Sequence, residues 1–158
     1  MKHGYWLAVV ATACCFMDSG AAEAVKSQPS LTLPTPRLTF HGTDAYEANG
    51  FDFVRYQYDV TNKSKYPKAL FAASPDLPPC GQNASPTRIA VAIYNTKGKQ
   101  ITEFCSLPGP EYLGRLWFGV LKGTPPPSGV YLEITDRLTG KSARSNVAPS
   151  PKPSTTKE

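Results

Sequence analysis

Phe53-Val54-Arg55-Tyr56-Gln57-Tyr58-Asp59-Val60-Thr61-Asn62 alternates with a period of two. Val54, Tyr56, Tyr58 and Val60 fall on one face, with Arg55, Gln57, Asp59 and Thr61 on the other. Successive side chains of an extended chain point to opposite sides, so the pattern predicts a strand with one face buried. The same reading extends in both directions. Leu38-Thr39-Phe40-His41 is a short strand, and Ile89, Val91 and Ile93 alternate with Ala90, Ala92 and Tyr94. Asn95-Thr96-Lys97-Gly98 is a turn that leads into Gln100 to Phe104 as a hairpin partner. Leu116-Trp117-Phe118-Gly119-Val120 is apolar throughout and is expected to be well covered. Val130, Leu132 and Ile134 alternate with Tyr131, Glu133 and Thr135. The turn Asp136-Arg137-Leu138-Thr139-Gly140 then precedes a last short strand near Ala143 to Val147.

No segment carries a helical stripe. Leu70-Phe71-Ala72-Ala73 offers one turn, which Pro75 stops, and the chain's 16 prolines oppose long helices. Seven short strands in about 110 residues predict an all-β fold. The expected architecture is an antiparallel β-sandwich of the immunoglobulin or fibronectin type III kind, with Trp117 and the tyrosines filling or bordering its core. The excursion over residues 63–87 is long for such a fold, and connections of that length are usually functional or anchored.

The N-terminus reads as a secretory leader over residues 1–24. Lys2 supplies the charge, the apolar stretch runs from Tyr5 to Met17, and Ala22-Glu23-Ala24 is a small-x-small cleavage site. The apolar stretch is shorter than the roughly 20 residues that cross a bilayer, so no transmembrane span is expected. Ala11-Thr12-Ala13-Cys14 resembles a lipobox without its leucine, and a lipid anchor at Cys14 is the alternative to cleavage after Ala24. The expected location is therefore periplasmic or secreted, or else membrane-anchored as a lipoprotein. Residues 25–36 read as a linker or the lead-in to a first strand, and residues 37–147 as the sandwich. Residues 148–158, with Pro149, Pro151 and Pro153 among Ser, Thr and Lys, read as a disordered tail.

Cleavage after Ala24 removes Cys14 and Cys15 and leaves Cys80 and Cys105 to form one disulfide. A 25-residue loop closed in this way stabilises by about 3–4 kcal/mol in the chain-entropy model. With His41 the remaining histidine and two thiols at most, the residues do not make an ordinary Cys/His zinc site, and no metal or cofactor is expected. The processed chain carries 16 basic and 10 acidic residues, a net charge of +6. The basic residues are scattered, without the dense stripe and stacking aromatics of a nucleic-acid site, so no nucleic-acid partner is expected.

Ser74-Pro75-Asp76-Leu77-Pro78-Pro79-Cys80-Gly81 carries a further signal, with Phe104-Cys105, Leu116-Trp117-Phe118, Val130-Tyr131-Leu132 and Asp136-Arg137 behind it. Over residues 50–147 this resembles an uncharacterised bacterial family of small exported domains bearing a PDLPPCG…FC…LWF…VY…DR signature. The resemblance implies an extracytoplasmic β-sandwich with one disulfide, and it carries over no reaction and no catalytic residue.

The residue inventory argues against catalysis. A serine-hydrolase arrangement needs a base and an orienting carboxylate, and only His41 with Asp44 offers that pair, without a Gly-x-Ser-x-Gly. Nothing in the sequence brings together two of Asp76, Glu103, Glu111 and Asp136. No catalytic residue is assigned, and a weak hydrolase using His41 is the last alternative. The leading expectation is a non-catalytic accessory or binding domain that contacts an envelope or secreted protein. Carbohydrate or peptidoglycan binding through exposed tyrosines is the second. The surface expected to do this is formed by the loops at 63–87 and 106–115, with Lys63, Lys65, Tyr66, Lys68 and Tyr112 as its candidate residues.

Overall fold

A computed structural model describes residues 31–80 and 86–151. Eight antiparallel strands form two sheets. They are β1 (Leu38–Ala48), β2 (Phe51–Val60), β3 (Ile89–Asn95), β4 (Gln100–Phe104), β5 (Leu116–Leu121), β6 (Gly129–Asp136), β7 (Lys141–Arg144) and β8 (Ala148–Pro149). One sheet has the order β1-β2-β5, and the other β4-β3-β6-β7, with β8 on the same edge of β6 as β7. Short 3-10 turns at Lys63–Lys65, Lys68–Phe71 and Pro110–Gly114 occupy the connections.

The two sheets share one core and are sandwich-like. Leu38, Tyr56, Tyr58, Val60, Leu116 and Phe118 of the first sheet join Ile89, Val91, Ile93, Val130, Leu132 and Ile134 of the second in a single apolar cluster. The alternation read in β2 and in the second half of β6 is an alternation of burial, whereas β3 is buried on both faces from Ile89 to Ile93. An aromatic seam runs through the first sheet's inner face, where the Phe118 ring stacks on both Tyr56 (centroids 5.4 Å) and Tyr58 (5.7 Å). Tyr66, Leu70, Phe71, Leu107 and Leu113 close one end of the core from the connecting segments.

The excursion after β2 is anchored as its length requires. Ala73 bridges Thr87, the Ser74 N–H donates to the Pro86 carbonyl (3.0 Å), and Cys80 is bonded to Cys105 across Cα atoms 6.0 Å apart. Cys105 follows Phe104, which packs on the core, so this bridge ties the excursion to β4 rather than joining the sheets.

Three expectations are corrected. The first strand does not end at His41 but runs to Ala48, because a bulge between Phe40 and Gly42 absorbs one residue and lets pairing with β2 continue. Residues 148–150 are not part of a loose tail: Ala148 and Pro149 pair with Val130 and Gly129, and the buried Ser150 hydroxyl shares a 2.6 Å hydrogen bond with Tyr58. A proline is tolerated there because an edge strand does not need every N–H. Residues 152–158 lie outside the described residues, as do residues 1–24, on which the expectations of a leader and of an anchor at Cys14 fall. The stretch read as covered, Leu116 to Val120, is half exposed, since β5 is an edge strand with Trp117 and Gly119 on its outer side.

Candidate functional site

Outward-facing residues of the first sheet form a platform whose composition is unlike a solvated face. The ladders place Tyr46 beside Phe53 and Leu121, Asp44 beside Arg55 and Gly119, and Gln57 beside Trp117. The Arg55 guanidinium lies 4.8 Å from the ring centres of both Tyr46 and Trp117, a cation–π contact with each of two rings that meet at a corner. Tyr46 stacks on Phe53 at 5.3 Å and meets Trp117 edge-on at 5.9 Å. Three of the four large apolar side chains exposed among the described residues belong here: Phe51 (59%), Leu121 (44%) and Trp117 (37%). Single exposed apolar residues need no explanation, but a contiguous group makes this face the candidate site.

Two local features build the platform. The bulge at His41 reverses which side chains of β1 face the core: Leu38 and Phe40 point inward before it, and Asp44 and Tyr46 point outward after it. Gly119 leaves room for the Tyr46 ring, because a Cβ at that position would collide with the Tyr46 hydroxyl. The charge at the centre is incompletely matched. Asp44 lies 3.9 Å from Arg55 Nη1 and accepts a 2.6 Å hydrogen bond from Gln57 Nε2, while the buried Nε of Arg55 has no hydrogen-bond partner among the described residues.

The loop surface expected from sequence is only partly there. Packing of the 3-10 turn at Lys63–Lys65 against that at Pro110–Gly114 does bring the two loop regions together. Tyr66, however, is 3% exposed, and its hydroxyl donates to the Pro34 carbonyl at 2.8 Å. Burial pushes its phenol pKa well up. It is a core residue that pins the lead-in segment, where Leu31 and Leu33 also pack on the core. Lys63 holds Asp59 at 2.6 Å, and Tyr112 is half-buried with Arg115 5.5 Å from its ring. Lys65 and Lys68 are exposed. The flanking lysines pointed outward in the sequence pattern, but the tyrosine among them turns in.

His41 is the exposed extra residue of the bulge, and the carboxylate expected to orient it, Asp44, is engaged by Gln57 and Arg55 instead. Among the described residues no group of three or more His, Cys, Asp or Glu is placed to hold a metal, and no helix is long and apolar enough to cross a membrane.

The Asp-Arg pair before the last turn has a structural role. Asp136, fully buried, accepts two 2.6 Å hydrogen bonds from Arg88 Nε and Nη2, one from the Thr139 hydroxyl (2.8 Å) and one from the Leu138 N–H (3.2 Å). Burial alone would push its carboxyl pKa up, but Arg88, Thr139 and Leu138 outweigh it and hold the pKa below the usual carboxylate range. The next residue, Arg137, donates from Nη2 to the Pro78 carbonyl at 2.7 Å, which holds the proline-rich segment just ahead of its disulfide. Compared with known proteins, the chain matches no family model, no curated protein and no solved structure.

Proposed function

We propose that this chain is an exported, non-catalytic binding domain that acts through protein–protein contacts in the cell envelope, with the outer face of the β1-β2-β5 sheet as its recognition surface. One observation carries the reading: Phe51, Trp117 and Leu121 share that face with an arginine set in the corner formed by two aromatic rings. Tryptophan, tyrosine and arginine are the residues that anchor protein interfaces, and here they are clustered and already oriented. The disulfide supports a periplasmic or secreted location. The partition of β1, β2 and β5 against β4, β3, β6 and β7 supports an immunoglobulin or fibronectin type III kinship for the sandwich.

Glycan binding is the second reading, favoured by the exposed Trp117 ring. A crosslinked pull-down from envelope extract, washed at high salt, tests the first. A stoichiometric protein partner is expected. A bait that recovers no protein but is retained on washed sacculi shifts the function to glycan binding. Globomycin treatment tests the anchor: a precursor that accumulates shows lipidation at Cys14, and an unchanged band shows ordinary cleavage.

A further inference from the structure

We infer that β5 is a docking edge to which an extended, acidic-ended segment of another protein adds as a further strand, a mode that rests on the protein-binding function proposed above. Strand β5 ends its sheet: β2 lies on one side, and no strand lies on the other among the described residues. The Lys122 N–H donates to the Asp52 carbonyl at 2.9 Å, so the even-numbered residues of this ladder bond to β2. By the alternation of an antiparallel pair, Trp117, Gly119 and Leu121 then direct their N–H and C=O groups to the open side. The 2.9 Å bond from the Thr124 N–H to the Leu121 carbonyl agrees, since that carbonyl is free of β2; the turn takes it, which leaves the Leu121 N–H and both groups of Trp117 and Gly119 for an added strand.

Natural edges of this kind are usually blunted by charge, proline or a bulge. Leu116-Trp117-Phe118-Gly119-Val120-Leu121 has none of the three. Beside it, between the edges of the two sheets, runs a cleft of about 420 Å³ lined by Phe118, Val120, Ile101, Gln100, Pro125 and Pro126. A strand added to β5 would set alternate side chains over this cleft and the others beside Trp117 and Leu121. Strand addition works in this way, with main-chain bonds for affinity and pockets under alternate residues for specificity.

Charge selects the occupant. Arg115 and Lys122 flank β5, both exposed, and Lys99 lines the cleft. Asp52 lies 3.1 Å from Lys122, but that pair is itself largely exposed. An antiparallel second copy would bring Arg115 of each chain towards Lys122 of the other, opposing like charges at both ends. A segment with acidic ends and an alternating apolar centre meets those cations instead.

The test uses the chain from Val25 onward, which contains every described residue and keeps Trp117 as its one tryptophan. Its fluorescence is titrated with the capped peptide Glu-Asp-Val-Thr-Val-Thr-Val-Thr-Asp-Glu. Parallel titrations use a version with lysine at the four acidic positions and one N-methylated at alternate backbone nitrogens. The acidic peptide should bind at least tenfold more tightly than either, with its advantage over the lysine version fading towards 1 M salt. Arg115→Glu with Lys122→Glu should reverse the charge preference. Leu121→Pro, which leaves the bonds to β2 intact, should weaken binding tenfold. Equal affinity for the acidic and lysine peptides, or no saturable response in the folded protein, overturns the inference. So does a concentration-dependent dimer that Leu121→Pro abolishes, because the occupant is then a second copy. An N-methylated peptide that binds as tightly overturns strand addition alone and leaves binding by the outer face standing. A wild-type bait without an envelope partner overturns the function itself.

Discussion

Asp136→Asn removes one negative charge and changes little else in shape, so it isolates what the buried ion pair contributes. Arg88 keeps its charge, with 8% of its side chain exposed, and loses the carboxylate that now takes two of its hydrogen bonds at 2.6 Å. Breaking a buried pair by removing one partner costs about 3–5 kcal/mol, since the other charge is left uncompensated. The amide still offers one acceptor oxygen, which places the expected loss near the lower end, about 3 kcal/mol. Against a total stability of about 5–15 kcal/mol this variant still folds while the disulfide is intact. Urea denaturation at pH 7 reads the difference. Replacing both partners, Arg88→Met with Asp136→Leu, should be less destabilising than the sum of the two single replacements, because both desolvation costs disappear together while only the Leu138 N–H and the Thr139 hydroxyl lose their acceptor. The pH dependence follows from the same geometry. Asp136 has a lowered pKa in the folded chain, so its contribution is present above the ordinary carboxylate pKa and is lost as pH falls through the folded value. A loss below about 1 kcal/mol for Asp136→Asn, or a double variant as unstable as the sum of the singles, would refute the reasoning.

Three other outcomes are expected. Replacing Cys80 and Cys105 by serine should lower stability by about 3–4 kcal/mol, and Ellman titration of the folded wild type from Val25 onward should find no free thiol. Gly119→Ala should cost about 1–3 kcal/mol by displacing the Tyr46 ring, with partial rescue by Tyr46→Phe; equal stability of Gly119→Ala and wild type in urea would contradict the contact. Burial raises the Tyr58 phenol pKa to about 12, so its stabilisation is present below pH 10 and lost as pH rises through 12. Tyr58→Phe should shrink that alkaline loss and cost about 1–2 kcal/mol at neutral pH by orphaning the Ser150 hydroxyl; an unchanged denaturation profile from pH 9 to 12 would oppose it.

Strands β2, β3, β4 and β6 were legible because one face of each is apolar or their turn residues are distinctive, as at Asn95, whose side chain accepts from the N–H groups of both Lys97 and Lys99. The cysteine pairing was legible from counting. Period-two reading failed at β5, where both faces are apolar and the pattern cannot say which one water touches. It failed at β1 because one bulged residue exchanges the faces, and at β8 because two residues in a proline-rich run carry no periodicity. The platform was the least legible part. Arg55 looked like any outward strand residue, and only the pairing of β2 with β5 brings Trp117 and Gly119 beside it. Tyr66 misled in the opposite sense, since lysines around a tyrosine describe the surroundings of the chain and not the direction of one ring.

The most direct test of the account is a quantitative envelope pull-down with wild type beside an Arg55→Ala, Trp117→Ala bait of matched denaturation midpoint. Loss of an interface anchor of about 2 kcal/mol corresponds to roughly 30-fold in affinity, so the bait concentration needed for half-maximal recovery of the partner should rise by at least that factor. An unchanged half-maximal bait concentration for the double variant would place the binding surface elsewhere on the domain and contradict the account.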